Sequence, residues 1–332
     1  MRRFLIGILL LFKILCFGQS QNEKLAYQYF AEKQYEKAVV IYKELYKKDQ
    51  KKEYYEPLLE SYIFLERFKD AEKLSKYQLK KHPDRIELSI DYGFVLEKWG
   101  KQTKAIQVYD NTLKSMIPNV NSILSVGNKF YQKGKYDYAI KAYKRGVKLV
   151  NGDYPFAFEL AKVYETTGNL TAVSKSLIGI MKYGDEYLES VKGALSTYFY
   201  DDSNGKKRRV FKDVLLEQVQ KNPSKDGYTE LLIWFFLQER KFSSALTQAI
   251  ALDKRNQEVG NRIIKIADIF VQNKENTEKM IDKFIKNLID LKKAVKSKNE
   301  KKLEKIFKNT KKIRKEIIQK DIIEPDFGRK QN

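Results

Sequence analysis

Apolar and aromatic residues recur along this chain with the spacing of amphipathic helices, and the same set of positions returns about every 34 residues. Alanine stands at the centre of four such windows, as Ala38, Ala71, Ala105 and Ala139. In each window an amphipathic segment, a short turn and a second amphipathic segment follow one another. One helical pair cannot bury its apolar face alone, so the pattern predicts stacked pairs that share a continuous core.

The residues around each alanine predict how the two helices of a pair pack. Small or apolar residues stand on the first helix at Leu25 and Ala26, Leu58 and Leu59, Tyr92 and Gly93, and Val126 and Gly127. Larger residues follow at Tyr29, Tyr62, Leu96 and Phe130, and second-helix aromatics at Tyr42, Tyr109 and Tyr143. Most of the 22 Tyr and 19 Phe are therefore expected in the core.

A 34-residue helix–turn–helix period with these residues resembles the tetratricopeptide repeat (TPR) family. Five repeats cover residues 19–184, with Val173 in place of the fifth alanine, and a degenerate repeat plus a sixth TPR-like repeat cover 185–265, with Ala245 in register. The resemblance implies an all-α fold. It is a TPR-type superhelical solenoid of helix–turn–helix repeats, followed by a C-terminal helical hairpin.

The resemblance also implies where a partner binds, because TPR ligands usually occupy the concave surface made by the first helices. Mapping that surface gives the candidate groove residues Tyr27, Phe30, Glu60, Phe64, Phe94, Glu97, Asn128, Tyr131, Lys162 and Trp234. At the positions where some TPR domains clamp a terminal carboxylate, only Asn128 conforms. A mixed aromatic and charged groove for an extended or helical polypeptide is therefore expected.

Residues 266–332 follow a different pattern. The stretch DIFVQNKEN, two long lysine-rich helices and PDFGR resemble, in that order, the C-terminal helices of prephenate dehydrogenase. In that family they belong to the dimerisation domain, which implies self-association through the C-terminal helices. The enzyme's activity needs a dinucleotide-binding fold and a catalytic histidine. This sequence has no G-x-G-x-x-G motif, and its only histidine, His82, is expected at a helix-terminal surface position.

Three origins remain open for this tail. It can be a natural fusion, the product of an error in assembling the sequence, or a set of ordinary lysine-rich helices that cap the solenoid. The alternative function is accordingly a fragment or fusion related to prephenate dehydrogenase, in tyrosine biosynthesis, that contributes only a dimerisation-type helical segment.

Candidate chemistry elsewhere is sparse. The sequence has no phosphate loop, H-E-x-x-H, cysteine pair or G-x-S-x-G motif, so no catalytic, cofactor-binding or metal-binding residue is predicted and a non-enzymatic role is expected. The formal net charge is +22, which raises nucleic-acid binding as a further alternative. The basic residues are mostly lysines that alternate with Glu and Asp along helices, whereas base readout favours arginine, so no nucleic-acid partner is predicted.

The N-terminus has the pattern of a secretory signal peptide. Arg2 and Arg3 precede an apolar run, and the small residues Cys16 and Gly18 lie before Gln19. We interpret residues 1–18 as a leader that directs export to the periplasm or cell envelope. Lipidation of Cys16, or retention of an uncleaved leader as a membrane anchor, are the alternatives.

If the leader is a signal peptide, the exported protein begins at Gln19 and lacks cysteine, because Cys16 is the only one in the chain. Intact-mass and N-terminal peptide measurements on protein from the native cell envelope will test this. Recovery of a soluble cytoplasmic protein that retains Met1 contradicts the interpretation.

Overall fold

The computed structural model describes residues 21–256 together with Arg262 and Ile266, and this part of the chain is helical without any strand. Helix α1 ends at residue 31. It is followed by α2 (Tyr35–Lys48), α3 (Lys52–Phe64), α4 (Phe68–Lys81), α5 (Leu88–Lys98), α6 (Gln102–Lys114), α7 (Val120–Gln132), α8 (Tyr136–Leu149), α9 (Ala157–Thr166), α10 (Leu170–Gly179), α11 (Leu188–Tyr198), α12 (Lys206–Lys221), α13 (Asp226–Gln238) and α14 (Phe242–Arg255). Two 3-10 turns, Ile180–Lys182 and Asp185–Tyr187, precede α11.

These helices form consecutive pairs, which confirms the predicted all-α fold with TPR-type helix–turn–helix repeats over the described residues. The pair α11 and α12 occupies the stretch predicted as the degenerate repeat. The proposed leader, residues 1–18, and the predicted C-terminal hairpin within 266–332 lie outside the described residues, apart from Ile266.

The described residues divide into two compact units, unit 1 up to Glu159 and unit 2 from Leu160, with the boundary inside α9. In unit 1, α5 packs against its partner α6 and also contacts the next first helix, α7, while α6 contacts α8. In unit 2, α10 packs against α12, and α13 packs against α12 and α14. First helices therefore contact first helices, and second helices contact second helices, as repeat stacking requires.

In each recognised repeat, one residue of the turn between the two helices adopts a left-handed backbone conformation. It lies five positions before the central small residue of that repeat. Glycine supplies it at Gly100, Gly134 and Gly168, with φ between 69° and 76°. Lys33, Glu66 and Arg240 occupy the equivalent position with φ between 53° and 61°. The residue that follows each donates its backbone N–H into the end of the first helix in the pattern of a Schellman motif, as Lys135 does to the Phe130 carbonyl at 2.8 Å.

The close approach of paired helices comes from glycine facing tyrosine. A Cβ atom on Gly93 would lie 2.5 Å from the Tyr109 ring, and one on Gly127 would overlap the Tyr143 ring. Both tyrosines are almost fully buried. Tyr109 also packs edge-on against Phe130, with ring centroids 5.5 Å apart. The second-helix aromatics Tyr109 and Tyr143 thus fill the space that the glycines of their own first helices leave open.

The central small residues occupy the most enclosed positions of the second helices. The five alanines of the recognised repeats have no exposed surface, and Val173 in the fifth repeat is 1% exposed. A larger side chain at these positions would force the helices apart, because a well-packed core has no room for added volume. This contact explains why the alanine recurs in the sequence.

Replacing Gly127 by Ala should destabilise unit 1 by roughly 1–3 kcal/mol, because the new methyl group overlaps the buried Tyr143 ring. Gly193→Ala in α11 is the matched control, since no atom lies within 4 Å of its added Cβ. That change should be neutral or stabilising by up to about 1 kcal/mol, because alanine is the better helix former. Urea denaturation of both variants provides the comparison, and equal midpoints would refute the glycine–tyrosine packing.

Candidate functional site

The first helices of unit 1, α1, α3, α5 and α7, share one surface, which we call the first-helix face. Two large aromatic side chains remain exposed on it, Tyr27 at 68% and Phe64 at 59%. Phe64 stacks on Tyr35 with ring centroids 4.6 Å apart. The Phe30 ring packs edge-on against the Tyr35 ring, with centroids 5.7 Å apart. The amino-terminal part of the face thus carries the exposed Tyr27 ring and the contacting rings of Phe30, Tyr35 and Phe64.

Five charged side chains meet further along the same face. Glu56 and Glu60 come from α3, Asp91 from α5, Lys129 from α7, and Lys133 from the position directly after α7. We call this group the Asp91 cluster. The Lys129 Nζ lies 2.8 Å from Glu56 Oε1 and 3.2 Å from Asp91 Oδ2. The Lys133 Nζ lies 3.3 Å from Glu60 Oε1 and 3.6 Å from Asp91 Oδ1. Asp91 therefore joins two lysine–glutamate pairs.

The centre of this cluster is withdrawn from solvent. The Asp91 side chain is fully buried, and those of Lys129 and Lys133 are 7% and 8% exposed. Burial alone would lower the pKa of Lys129, but the charges of Asp91 and Glu56 outweigh it, so the pKa of Lys129 is raised. The Lys129 amine is therefore held in its charged form by its carboxylate neighbours.

Only one of the two carboxylate oxygens of Asp91 has a hydrogen-bond partner among the described residues. Its Oδ2 accepts a hydrogen bond from the Tyr55 hydroxyl at 3.2 Å, while Oδ1 is buried without a hydrogen-bond partner among the described residues. Burial, and after it the Asp91 charge, raise the pKa of Tyr55 well above its ordinary value. The buried carboxylate depends electrostatically on Lys129 and Lys133, because an unpaired charge at this depth is unfavourable.

The Asp91 cluster links helices that are not neighbours in the repeat order. The Glu56–Lys129 and Glu60–Lys133 pairs join residues 73 positions apart and reach from α3 to α7 across α5. Repeat arrays normally connect each repeat only to the next one. Together with Asp91, these two pairs therefore connect three first helices of unit 1.

Several predicted groove residues have intramolecular partners here. The Tyr109 hydroxyl donates to Glu97 at 3.2 Å, and Lys135 forms an ion pair with the same carboxylate. The Tyr143 hydroxyl donates to Asn128 Oδ1 at 2.9 Å. These polar groups orient the tyrosines that pack beneath the face. They can contact a ligand only while keeping these bonds or exchanging them.

The other predicted groove residues are distributed over both units. In unit 1, Phe94 lies under the amines of Lys98 and Lys133, at 5.2 and 5.3 Å from its ring centroid. Tyr131 contacts the Tyr136 ring, with centroids 5.6 Å apart. In unit 2, Lys162 is exposed on α9 and Trp234 is half-buried on α13. The structure therefore brings eight of the ten residues onto the first-helix face of unit 1.

Sequence reasoning missed the centre of the Asp91 cluster. It named Glu60 as a groove residue but not Asp91, Lys129 or Lys133. One signal was available: Asp91 interrupts the apolar stretch LSIDYGFVL, and a carboxylate on the buried side of a helix requires a cation nearby. The identity of that cation was not readable, because Lys129 lies more than thirty residues further along the chain.

Groups that would support other chemistry do not assemble in the described residues. No cluster of three or more His, Cys, Asp or Glu side chains with metal-binding geometry occurs there. Within the same ranges, the helices are too short or too polar to traverse a lipid bilayer.

Comparison with a family model matches residues 260–309 to the dimerisation domain of prephenate dehydrogenase. This confirms the resemblance of the tail, although nearly all of the matched segment lies outside the described residues. The match covers a minor part of the chain. No curated protein matches the sequence.

Several solved structures resemble the chain at low sequence identity. A thermophilic TPR protein from Thermus thermophilus is 17% identical; the match covers 53% of this chain and 98% of that protein, with a TM-score of 0.30. PilW, a type IV pilus biogenesis factor, is 17% identical; the match covers 64% of this chain and 98% of PilW, with a TM-score of 0.28. A TPR protein from Parabacteroides merdae is 13% identical; the match covers 81% of this chain and 98% of that protein, with a TM-score of 0.26. The helix–turn–helix repeats described above, and not these similarities, identify the fold as TPR-type.

Replacing Lys129 by Met should cost roughly 3–5 kcal/mol of unfolding free energy, because it leaves the Asp91 carboxylate buried beside one remaining lysine. Lys52→Met is the control, since Lys52 approaches the same Glu56 at 3.8 Å but is 54% exposed. That change should cost no more than about 0.5 kcal/mol.

A second substitution separates the charge effect from lost packing. Adding Asp91→Asn to Lys129→Met removes the uncompensated carboxylate, so part of the lost stability should return. Chemical denaturation of the single and double variants measures this. A Lys129→Met variant as stable as Lys52→Met would contradict the assigned role of the cluster.

Proposed function

We propose that this protein is a non-catalytic interaction scaffold that binds a polypeptide on the first-helix face. The observation that carries the proposal is the exposure of Tyr27 and Phe64 on that face, since few aromatic side chains of the described residues are this exposed. Exposed aromatic side chains are typical of protein interaction sites, because they bury large areas with few rotatable bonds. The TPR-type fold is consistent with a protein partner.

The charges on the same face describe the ligand further. The Asp91 cluster contains three carboxylates and two lysines, and its lysine amines are buried while Glu56 and Glu60 are 32% and 41% exposed. The cluster itself therefore exposes its carboxylates rather than its lysines, although the chain as a whole is strongly basic. We propose that the bound segment is extended or helical, with apolar side chains against Tyr27 and Phe64 and basic ones towards Glu56 and Glu60.

We also propose that the protein acts in the periplasm or cell envelope. The leader-like residues 1–18 support a role in the periplasm or cell envelope, where the scaffold would bind an exported partner. The family match over residues 260–309 supports the alternative, in which a segment related to prephenate dehydrogenase contributes self-association through helices.

Site-specific photo-crosslinking in the native cells tests the first-helix face. A photoreactive phenylalanine analogue at Phe64 should give a discrete crosslink to a polypeptide. The same analogue at Val40 should not, because Val40 lies on second helix α2. The two positions have similar exposure, 59% and 65%, so access to solvent is matched.

Charge-reversal substitutions test whether the bound segment is basic. Glu60→Lys should weaken the crosslink at position 64 if a basic segment lies along the face, whereas Glu44→Lys on α2 should leave it unchanged. Equal crosslinking from positions 40 and 64, or the absence of crosslinks from both, would exclude the first-helix face as the binding site.

A further inference from the structure

A pocket on the loop edge of unit 1 shares Glu56 and Lys129 with the Asp91 cluster and adds basic residues that the groove proposal does not use. It lies where the turn before α3, the end of α4 and the loop before α5 come together. The side chains that determine its charge are Lys52, Glu56, His82, Arg85 and Lys129. Four basic side chains thus surround one carboxylate.

The single carboxylate already occupies part of this site. Glu56 lies between two lysines, with its Oε1 atom 2.8 Å from Lys129 Nζ and 3.8 Å from Lys52 Nζ. The first distance is a hydrogen-bonded ion pair, whereas the second is longer than a hydrogen bond. Lys52 therefore keeps its hydrogen-bonding capacity while contributing positive charge to the pocket.

The remaining donors are also available. Arg85 bonds to Glu87 through its Nε at 2.9 Å, and among the described residues its two Nη groups have no hydrogen-bond partner. His82 is half-buried at the end of α4, rather than fully at the surface as expected from the sequence. A guanidinium with two open Nη groups is suited to a planar or tetrahedral oxyanion.

We propose that this loop-edge pocket binds an anionic group of a ligand, a carboxylate or a phosphate, between Arg85, His82 and Lys52. The Arg85 Nη groups donate to the anion, and the Lys52 amine adds a point charge. The net charge of +22 attracts anions towards the chain at long range. Glu56 competes with the ligand for Lys52, which keeps the affinity moderate.

The only histidine of the chain makes this proposal measurable in the full-length protein. The imidazole resonances of His82 are unique in the spectrum, because no other histidine is present. Inorganic phosphate and acetate are titrated separately at constant pH, with chloride used to hold the ionic strength constant. A saturable shift of the His82 resonances with either anion is the expected result.

Three variants decide whether the shift reports this pocket. Arg85→Gln should weaken binding about tenfold, since it removes a charge-assisted donor. Arg145→Gln, an exposed arginine on α8 that bonds only to the Lys114 carbonyl among the described residues, should leave it unchanged. Glu56→Gln should strengthen binding, because it removes the competing carboxylate.

The two anions distinguish the sources of the ligand chemistry. Saturation with acetate indicates a carboxylate site, and saturation with phosphate alone indicates a phosphate site. The proposal is overturned if neither anion gives a saturable shift beyond that of chloride, or if Arg85→Gln binds as tightly as the unmodified protein. Glu56 belongs to both sites, but Arg85 and His82 are not part of the proposed groove, so their tests can fail while the groove proposal stands.

Discussion

Close contact between the two helices of each repeat is the constraint on which the rest of the structure depends. Two features produce it: a small residue where the helices meet and a left-handed residue in the turn five positions earlier. The backbone bond from Lys135 to Phe130 ends α7 so that α8 returns against it. Gly127 then admits the Tyr143 ring between the helices. Because every recognised repeat repeats this geometry, first helices align with first helices along each unit.

This packing decides which aromatic side chains remain for binding. Residues such as Tyr109, Tyr143 and Phe130 are buried in the core, where they fill the gaps between helices. Phe64 lies just beyond the buried positions of α3 and stays exposed while stacking on Tyr35. The same repeat that builds the core therefore leaves aromatic surface at one end of the first-helix face. The proposed polypeptide site follows from that division.

The Asp91 cluster shows how buried charge can shape a repeat array. Removing five charged groups partly from water is unfavourable, and their mutual attraction offsets that cost only with close, well-oriented pairs. Lys129 meets this condition by contacting both Glu56 and Asp91. Since the pairs span three first helices, their energy depends on how closely those helices pack. A ligand with its own basic groups meets Glu56 and Glu60 at a surface that these pairs have already fixed in position.

The sequence by itself determined the helical pairs, their period and the contact between small and aromatic residues, because these depend on local periodicity and on neighbours within one repeat. The recurrence of Ala38, Ala71, Ala105 and Ala139 was sufficient for that prediction. It also placed Tyr27 and Phe64 on the first-helix face, since the face of a helix follows from register. Only the tertiary structure decided that Lys129 and Lys133 reach across α5 to α3, and that His82 and Arg85 share a pocket with Lys52. Those contacts join residues far apart in the chain, and they depend on the angle at which successive repeats stack, which periodicity alone does not specify.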